Sequence, residues 1–485
     1  MKQKQQKYED SMSIEEIKRE VLRREKPSES DYRLLKEVFE YLRERGLRTF
    51  KEFNIKDAEI TLVGSVAKDT WLKDDKDIDI FLLFPPTMSI NELREIGLKI
   101  AKKIAPCRSE EKYAEHPYIE FTYRGVKVDI VPCFKVRKPS EVITAVDRTP
   151  FHTKYISERL TEEQRDEVRI LKRFFKGIGV YGAEVKIEGF SGYLTELLIL
   201  KYGTFEKTLE EVAKWRPWRV LIDIEGYYEE KSFRRQFSSP LIVIDPVDPT
   251  RNAAAAVSLQ KMSELIAAAQ AFLREPSLFF FYPPKPRPIS CQELIKKISE
   301  RGLHVVAVRF EHKYLVPDIL WGELKRSLKG IHELLEREGV MVRDSTIWSN
   351  ERDTSIVLFE VERIKLPSSE MHIGPLVYER EHAEKFLEKY RTSKNTYAGP
   401  FLHGDRWHVY RMRKYCDVRD IIEKNIGNIK LGKDIREAVK KKGVKIYVDS
   451  EICELLNGKE FAQELRRFLD KKPPWMVNHN EDKDY

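Results

Sequence analysis

Three aspartates in this chain lie within apolar segments, where charged side chains are rare unless something pairs with them. Asp77 and Asp79 open the apolar segment 77–84, and Asp129 lies within the apolar segment 126–131. Because residues two apart in a strand face the same side, Asp77 and Asp79 would share one face. If the two strands are neighbours, the three carboxylates converge and repel one another strongly.

Two divalent cations would remove that repulsion, because Mg²⁺ binds carboxylate oxygens and paired ions of this kind lie about 4 Å apart. One ion would lower the pKa of an attacking hydroxyl, and the other would neutralise charge on a leaving pyrophosphate. Ser65 follows Gly64 twelve residues before Asp77, at a predicted change from strand to helix. Its hydroxyl and the N–H groups of the helix start would hold terminal phosphates. A solvated strand face and an ordinary helix cap are the alternatives.

Size and composition limit the classes of protein that the chain can represent. A length of 485 residues predicts about three domains. Lys and Arg exceed Asp and Glu by 8, which permits a polyanionic partner. No apolar run approaches the roughly 18 residues of a membrane span, so no membrane partner is expected. The 5 cysteines are widely spaced without a C-x-x-C pair, which argues against a disulfide framework and for a reducing, cytoplasmic location.

Hydrophobic periodicity divides the chain into four parts. Helices and strands alternate in the first, which includes a hairpin turned at Arg124 and Gly125. The second is helical and is followed by an extended linker with four prolines in 283–288. The third has a βαββ pattern that predicts a small RRM-like sheet, although no ribonucleoprotein sequence signature is present. The four predicted domains are 1–145, 146–275, 276–372 and 373–485.

Several longer motifs resemble those of the archaeal class I CCA-adding enzymes, which are tRNA nucleotidyltransferases of the polymerase-β-like superfamily. The motifs are GSVAKDTWLK (64–73), DIDIF (77–81), YAEHPY (113–118), VDIVPC (128–133), AVDRTPFH (145–152), YGAE (181–184), GFSGYL (189–194) and DPVDPTRN (245–252). The resemblance is dense over about 14–310 and fainter beyond. It implies an α+β multidomain fold with a mixed-sheet nucleotidyltransferase palm, a helical central domain, an α/β C-terminal domain and an RNA-binding tail.

The resemblance also implies the metal ligands. Asp77, Asp79 and Asp129 would hold two Mg²⁺ ions, with Asp129 nearest the attacking hydroxyl. Many relatives have Glu where this chain has Asp77, and the shorter side chain is still expected to reach a metal.

The same resemblance implies nucleotide contacts for further residues. It implies that Ser65 and Lys68 contact the triphosphate and that His152, Lys172 and Tyr181 contact the nucleotide. Without the resemblance, these residues would be read as a helix cap, solvated lysines, a core-edge histidine and a packed tyrosine.

Recognition of the base is the remaining implied contact. Arg251 would lie near the incoming base, in a pocket of protein and RNA that selects C or A without a template. A structural ion pair between Arg251 and Asp245 is the alternative at this position.

Two segments of the C-terminal region invite a functional interpretation. Segment 406–415 mixes basic and aromatic residues without an acid, which favours contact with RNA phosphates and stacking on bases. The alternative for this segment is a strand with a solvated basic face.

Segment 427–434 nearly matches a Walker A loop, but Asp434 replaces the required Ser or Thr and no strand is predicted before it. We therefore reject a Walker A site.

Together, these features predict a template-independent enzyme that adds CCA to the 3′ end of tRNA. CTP and ATP would be its nucleotide substrates, Mg²⁺ its cofactor and tRNA its partner; a homodimer is left open. A poly(A) polymerase of the same superfamily is one alternative. A non-catalytic RNA-binding relative that retained the fold is the other, although its three carboxylates would then have no role.

Overall fold

The structure is a computed structural model that describes residues 12–113, 117–228 and 237–476. Part of the motif at 113–118 and the end of the predicted tail lie outside these residues. The chain forms two compact units, one of residues 1–285 with 472–485 and the other of residues 286–471. The boundary falls within the proline-rich segment 283–288, which has no helix or strand, as predicted. The division into four domains stays a prediction.

The first unit begins with a five-stranded mixed sheet in the order β1-β2-β5-β4-β3. Its strands are β1 (Glu59–Val63), β2 (Asp77–Phe84), β3 (Glu110–Tyr113), β4 (Pro117–Tyr123) and β5 (Val126–Phe134). The parallel pair is β2 with β5, and the other pairs are antiparallel. The predicted hairpin between β4 and β5 is confirmed, with Arg124 and Gly125 both at positive φ, which a tight two-residue turn requires.

Four helices of the described ranges accompany this sheet in the chain, namely α1 (Ile14–Glu25), α2 (Glu29–Glu52), α3 (Gly64–Ala67) and α4 (Ile90–Ile104). Helices α2 and α4 cover one face of the sheet, whereas α1 packs into the core of the helical region that follows. Leu35 and Val38 of α2, together with Leu93 and Ile100 of α4, are buried in one core with the apolar face of the sheet. The strands alternate, so Ile78 goes to that core while its neighbours in β2 face the other way. The opposite face is therefore free to carry charge.

A helical region completes the first unit. Its helices are α5 (Thr149–Arg159), α6 (Glu162–Ile178), α7 (Gly192–Tyr202), α8 (Phe205–Val212) and α9 (Leu259–Arg274). Phe174, Phe205, Phe272 and Phe281 form its centre, with ring centroids 5.4 to 5.8 Å apart. The prediction of an all-helical region is wrong in one detail. A two-stranded parallel sheet of β6 (Val220–Ile222) and β7 (Leu241–Val243) also lies here, and such short strands leave little periodicity to detect.

The second unit contains two antiparallel sheets backed by helices. Its elements are α10 (Cys291–Arg301), β8 (His304–Glu311), α11 (Pro317–Arg337), β9 (Val342–Ser349), β10 (Thr354–Val361), β11 (Ser369–Leu376), α12 (Arg380–Arg391), β12 (Thr396–His403), β13 (Arg406–Met412), α13 (Val418–Asn425), α14 (Lys433–Lys442), β14 (Lys445–Val448) and α15 (Lys459–Asp470). One sheet has the order β14-β8-β10-β9 and the other β11-β13-β12.

Two sequence-based expectations for this unit can be compared with the structure. The helix α13 and a 3₁₀ helix, Ile426–Asn428, lead into the Walker A-like segment where a Walker A loop would follow a strand, so the rejection of this site is confirmed. Segment 406–415 has no acid of its own, but Glu370 on the neighbouring strand β11 pairs with Arg411 at 2.8 Å and with Arg413 at 3.1 Å. A strand sequence does not reveal its cross-strand neighbours, so this pairing was missed. No helix in the described ranges is long and apolar enough to cross a membrane.

The cysteine spacing argues against a disulfide framework, but one pair of cysteines is bonded in the structure. Cys291 at the start of α10 is bonded to Cys453, 162 residues further on, in the 3₁₀ helix Asp449–Leu455. Wide spacing hid the pair, because only the fold brings α10 against this 3₁₀ helix. Cys107, Cys133 and Cys416 are free.

Removing this disulfide should destabilise the second unit. We expect Cys453→Ser to lower the free energy of unfolding by about 2–4 kcal/mol, because the open chain regains loop entropy when it unfolds. Urea unfolding of the oxidised proteins measures this, with Cys107→Ser as the matched control at an exposed free cysteine. A wild-type unfolding midpoint that does not change on adding a reductant would contradict the prediction.

Candidate active site

The charged face of the N-terminal sheet brings the predicted carboxylates together. In the parallel pair of β2 and β5, Asp79 lies directly opposite Asp129, and Asp77 lies opposite Lys127. Asp79 and Asp129 are half-buried and Asp77 is exposed. The apolar neighbours Ile78 and Ile130 are buried on the other face. Alternation along two adjacent strands is therefore sufficient to align three carboxylates on one face.

Gly64 and Ser65 close one side of this site at the end of β1. Gly64 has a φ of +76°, and a Cβ atom there would lie 1.9 Å from Asp79 Oδ2. Only glycine therefore permits the turn to approach the carboxylate so closely. The approach also places Ser65 beside the three aspartates, and all four residues line one cavity of about 530 Å³.

The other side of the cavity comes from the end of α6 and the loop that follows it. Gly179 ends α6 at a φ of +79°, which turns the chain back toward the sheet. Of the predicted nucleotide contacts, Tyr181 lies on this wall. Five residues that line the cavity were not among the predicted site residues, namely Asp75, Lys176, Gly179, Glu184 and Ile187.

The site holds carboxylates at an electrostatic cost. Burial, with the nearby charge of Asp77, raises the pKa of Asp79 to about 6. Burial raises the pKa of Asp129 to about 7, and Asp79 contributes in the same direction against the attraction of Lys127. Asp129 Oδ1 is buried and makes no hydrogen bond within the described residues. A polar atom left in this state needs a partner.

Divalent cations suit this donor set. Mg²⁺ prefers carboxylate oxygens, and the cavity presents those of three aspartates together with an unpartnered oxygen of Asp129. Within the described ranges, no three acidic, histidine or cysteine side chains already form a closed ligand set. The three aspartates thus have the ligand type that a divalent cation prefers and lie in one cavity. Their carboxylates would have to move closer together to bind the ion.

Lys68 and Lys172 do not line the cavity but lie buried behind it. Lys68 Nζ is 2.5 Å from Glu196 Oε2, and Lys172 Nζ is 3.6 Å from Glu196 Oε1. Thr70 Oγ1 donates to the same carboxylate at 2.5 Å. Burial lowers the pKa of Lys172 to about 8. Burial would raise the pKa of Glu196, but Lys68 and Lys172 reverse this effect and lower it.

His152 and Arg251 meet at a second buried carboxylate, that of Asp245. His152 Nε2 and Arg251 Nη1 each lie 2.8 Å from Asp245 Oδ2. Tyr193 donates to Asp245 Oδ1 at 3.0 Å and stacks on His152 with ring centroids 4.2 Å apart. The structure therefore contains the ion pair that the sequence left open for Arg251. The guanidinium side chain remains 43% exposed, which leaves N–H groups for a further ligand.

One face of α6 fixes the loop that joins Ser65 to Asp77. Arg169 forms an ion pair with Asp69 and donates to the Trp71 carbonyl at 3.1 Å. Lys172 donates to the Thr70 carbonyl at 2.9 Å. From residue types alone these basic side chains would be solvated, but Arg169 and Lys172 are almost fully buried.

Three family models match parts of this chain. A nucleotidyltransferase domain matches residues 43–152, a tRNA nucleotidyltransferase second domain matches 166–282, and a CCA-adding enzyme C-terminal domain matches 301–449. The first therefore contains the three aspartates and His152, and the second contains most of α6 together with Tyr193, Asp245 and Arg251.

Curated relatives match nearly the whole chain. A CCA-adding enzyme of Methanosarcina mazei is 37% identical over 95% of this chain and 99% of its own length. One of Archaeoglobus fulgidus is 37% identical over 93% of this chain and 100% of its own length. One of Haloarcula marismortui is 38% identical, over 86% and 90% respectively. Among solved structures, the Cid1 poly(U) polymerase covers 53% of this chain at 17% identity and a TM-score of 0.43.

The buried Glu196 should be essential for stability. We expect Glu196→Gln to lower the free energy of unfolding by roughly 3–5 kcal/mol, because Lys68 and Lys172 would remain buried without a counter-charge. Urea unfolding measures this loss. Glu210→Gln, at an exposed position of α8, is the matched control and should change stability by less than about 0.5 kcal/mol. Equal unfolding midpoints for the two variants would contradict the assigned role.

Proposed function

The chain belongs to the family of the archaeal CCA-adding enzymes, and on that premise we propose how its residues carry out the reaction. The enzyme adds CCA to the 3′ end of tRNA. The terminal 3′ hydroxyl attacks the α-phosphate of CTP and later of ATP, and pyrophosphate leaves. The observation that carries the proposal is the alignment of Asp77, Asp79 and Asp129 on one face of β2 and β5 in a cavity that also contains Ser65. These substrates are consistent with the expected cytoplasmic location.

Asp77, Asp79 and Asp129 would hold two Mg²⁺ ions. When bound, such ions lower the pKa of an attacking hydroxyl and neutralise charge on the leaving pyrophosphate. We assign Asp129 to the side of the attacking hydroxyl, because its Oδ1 is the buried oxygen without a partner. Asp77 is one methylene shorter than the Glu of many relatives, and its exposed position leaves it room to reach inward.

Ser65 and Tyr181 would position the triphosphate from opposite walls of the cavity. Their hydroxyl groups are suited to donate to phosphate oxygens. Lys68 and Lys172 act from behind the wall, where two ammonium groups share the single carboxylate of Glu196. The pair therefore contributes net positive charge near the phosphates. Phosphoryl transfer depends mainly on this kind of positioning and charge neutralisation.

Arg251 and His152 would face the incoming base. Asp245 holds both side chains in place, and the half-exposed guanidinium of Arg251 keeps donors for the acceptor atoms of C or A. Without a template, the protein itself must distinguish C from A. Donors held in fixed positions, in a pocket of fixed shape, would allow it to do so. On this view, the ion pair with Asp245 orients Arg251 and is compatible with base contact.

The second unit would bind the tRNA by its backbone and shape. Arg406, Tyr410 and Lys414 remain exposed in or beside β13, which supports contact with phosphates and bases. The four-stranded sheet supports the proposed RRM-like fold. Its strands follow the chain as β8, β9, β10 and β14 with α11 after the first, and the spatial order is β14-β8-β10-β9.

A nucleotide-addition assay tests the proposed function. With tRNA that lacks CCA, the protein should add two C residues and then one A when given CTP and ATP. Asp79→Asn should reduce incorporation by at least roughly a hundredfold, because the cation site loses a charge, while tRNA affinity stays within about twofold. Asp57→Asn, at an exposed position just before β1 that does not line the cavity, is the matched control and should retain activity.

Three outcomes would contradict the assignment. Long A tails with no use of CTP would indicate a poly(A) polymerase. Binding of tRNA without release of pyrophosphate from CTP would indicate a non-catalytic relative. Full activity of Asp79→Asn would exclude the proposed metal ligands.

A further inference from the structure

The cavity contains far more negative than positive charge. Its lining carries five carboxylates and, among the described residues, a single ammonium group, that of Lys176. The carboxylates belong to Asp75, Asp77, Asp79, Asp129 and Glu184. A nucleoside triphosphate would bring several further negative charges. Lys68 and Lys172 are buried with Glu196, and Lys127 pairs with Glu120 at 3.0 Å and does not line the cavity. Lys176 is therefore the ammonium group of the cavity wall that an entering polyphosphate can reach directly.

Lys176 is currently bound to Asp75 at the edge of the cavity. Its Nζ lies 2.7 Å from Oδ1 and 2.5 Å from Oδ2 of Asp75, and 5.4 Å from the ring centroid of Tyr181. The two charged side chains are 27% and 37% exposed. An ion pair this accessible to water adds little to stability, so exchanging one anion for another costs little.

The rest of α6 explains why this lysine can move while the helix does not. Arg169 and Lys172, two turns and one turn before Lys176 respectively, are buried and fixed to the loop 69–71. Lys176 is in the last turn of α6, where its flexible four-carbon side chain reaches the cavity. Its charge also acts on Asp77, where it opposes the burial that raises the pKa of that carboxyl.

We propose that Lys176 binds the triphosphate of the incoming nucleotide by exchanging Asp75 for a phosphate oxygen. Before the nucleotide enters, Asp75 keeps the ammonium away from the metal-binding aspartates, which a bound lysine would otherwise neutralise. After exchange, the same lysine stays with the polyphosphate until pyrophosphate leaves. This inference rests on the proposed function and adds to it a residue pair that selects for a polyphosphate group.

Steady-state kinetics of CCA addition test the proposal with four proteins. Lys176→Met should raise the KM for CTP and for ATP by roughly tenfold to a hundredfold, since a charge-assisted hydrogen bond is lost. Inhibition by pyrophosphate should weaken by a similar factor, with a smaller change in kcat. Lys176→Arg should restore most of the affinity. Lys201→Met, at an exposed position of α7, is the matched control and should behave as wild type.

The variant Asp75→Asn distinguishes the proposed exchange of Asp75 for phosphate at Lys176 from an ion pair that only stabilises the fold. If Asp75 competes with phosphate, this variant should keep or lower the KM for CTP, whereas a structural pair would make it fail together with Lys176→Met. An unchanged KM and unchanged pyrophosphate inhibition in Lys176→Met would overturn the proposal. So would a parallel loss of nucleotide affinity in both variants. Failure of the wild-type protein to add C would instead reject the proposed function.

Discussion

The active site depends on the mutual repulsion of carboxylates that the fold holds side by side. Asp79 and Asp129 lie opposite each other on two parallel strands, and both have raised pKa values because the cavity excludes part of their solvent. A folded chain retains such a costly arrangement where it serves function. On the proposed function, this repulsion would favour the binding of cations, and the bound cations would in turn favour the binding of a triphosphate.

Such a site needs rigid walls, and two buried carboxylates provide them. Glu196 joins the loop after α3 to α7 through Lys68 and Thr70, and so connects the sheet to the helical region. Asp245 holds the side chains of His152 and Arg251 together through a hydrogen bond with each. The side chains for which the family resemblance implies nucleotide contacts, such as Lys68 and Arg251, are thus each paired with a buried acid that fixes their position. Affinity for a substrate then needs little further ordering of side chains.

The sequence predicted the parts of this structure that follow from local pattern. Charged residues in apolar strands revealed Asp77, Asp79 and Asp129, and the hairpin at Gly125 followed from turn chemistry. Pairings between distant elements could not be read in this way, as the Cys291–Cys453 disulfide illustrates. Glu196 was nevertheless detectable, since it is an acid within an apolar helix and obeys the logic that identified the aspartates. Lys176 was not, because lysines in a last helical turn are usually solvated.

Unfolding of the metal-free protein tests the electrostatic claim most directly. A carboxyl whose pKa is raised to about 7 favours the folded state while protonated, and this contribution is lost as the pH rises toward that value. In EDTA, Asp129→Asn should therefore be more stable than wild type at about pH 8, and this advantage should shrink steadily as the pH falls toward 3.8, the ordinary pKa of the carboxyl. Added Mg²⁺ with CTP should stabilise the wild type more than the variant. A variant that is less stable than wild type at the higher pH, or an equal response of both to Mg²⁺, would contradict the account.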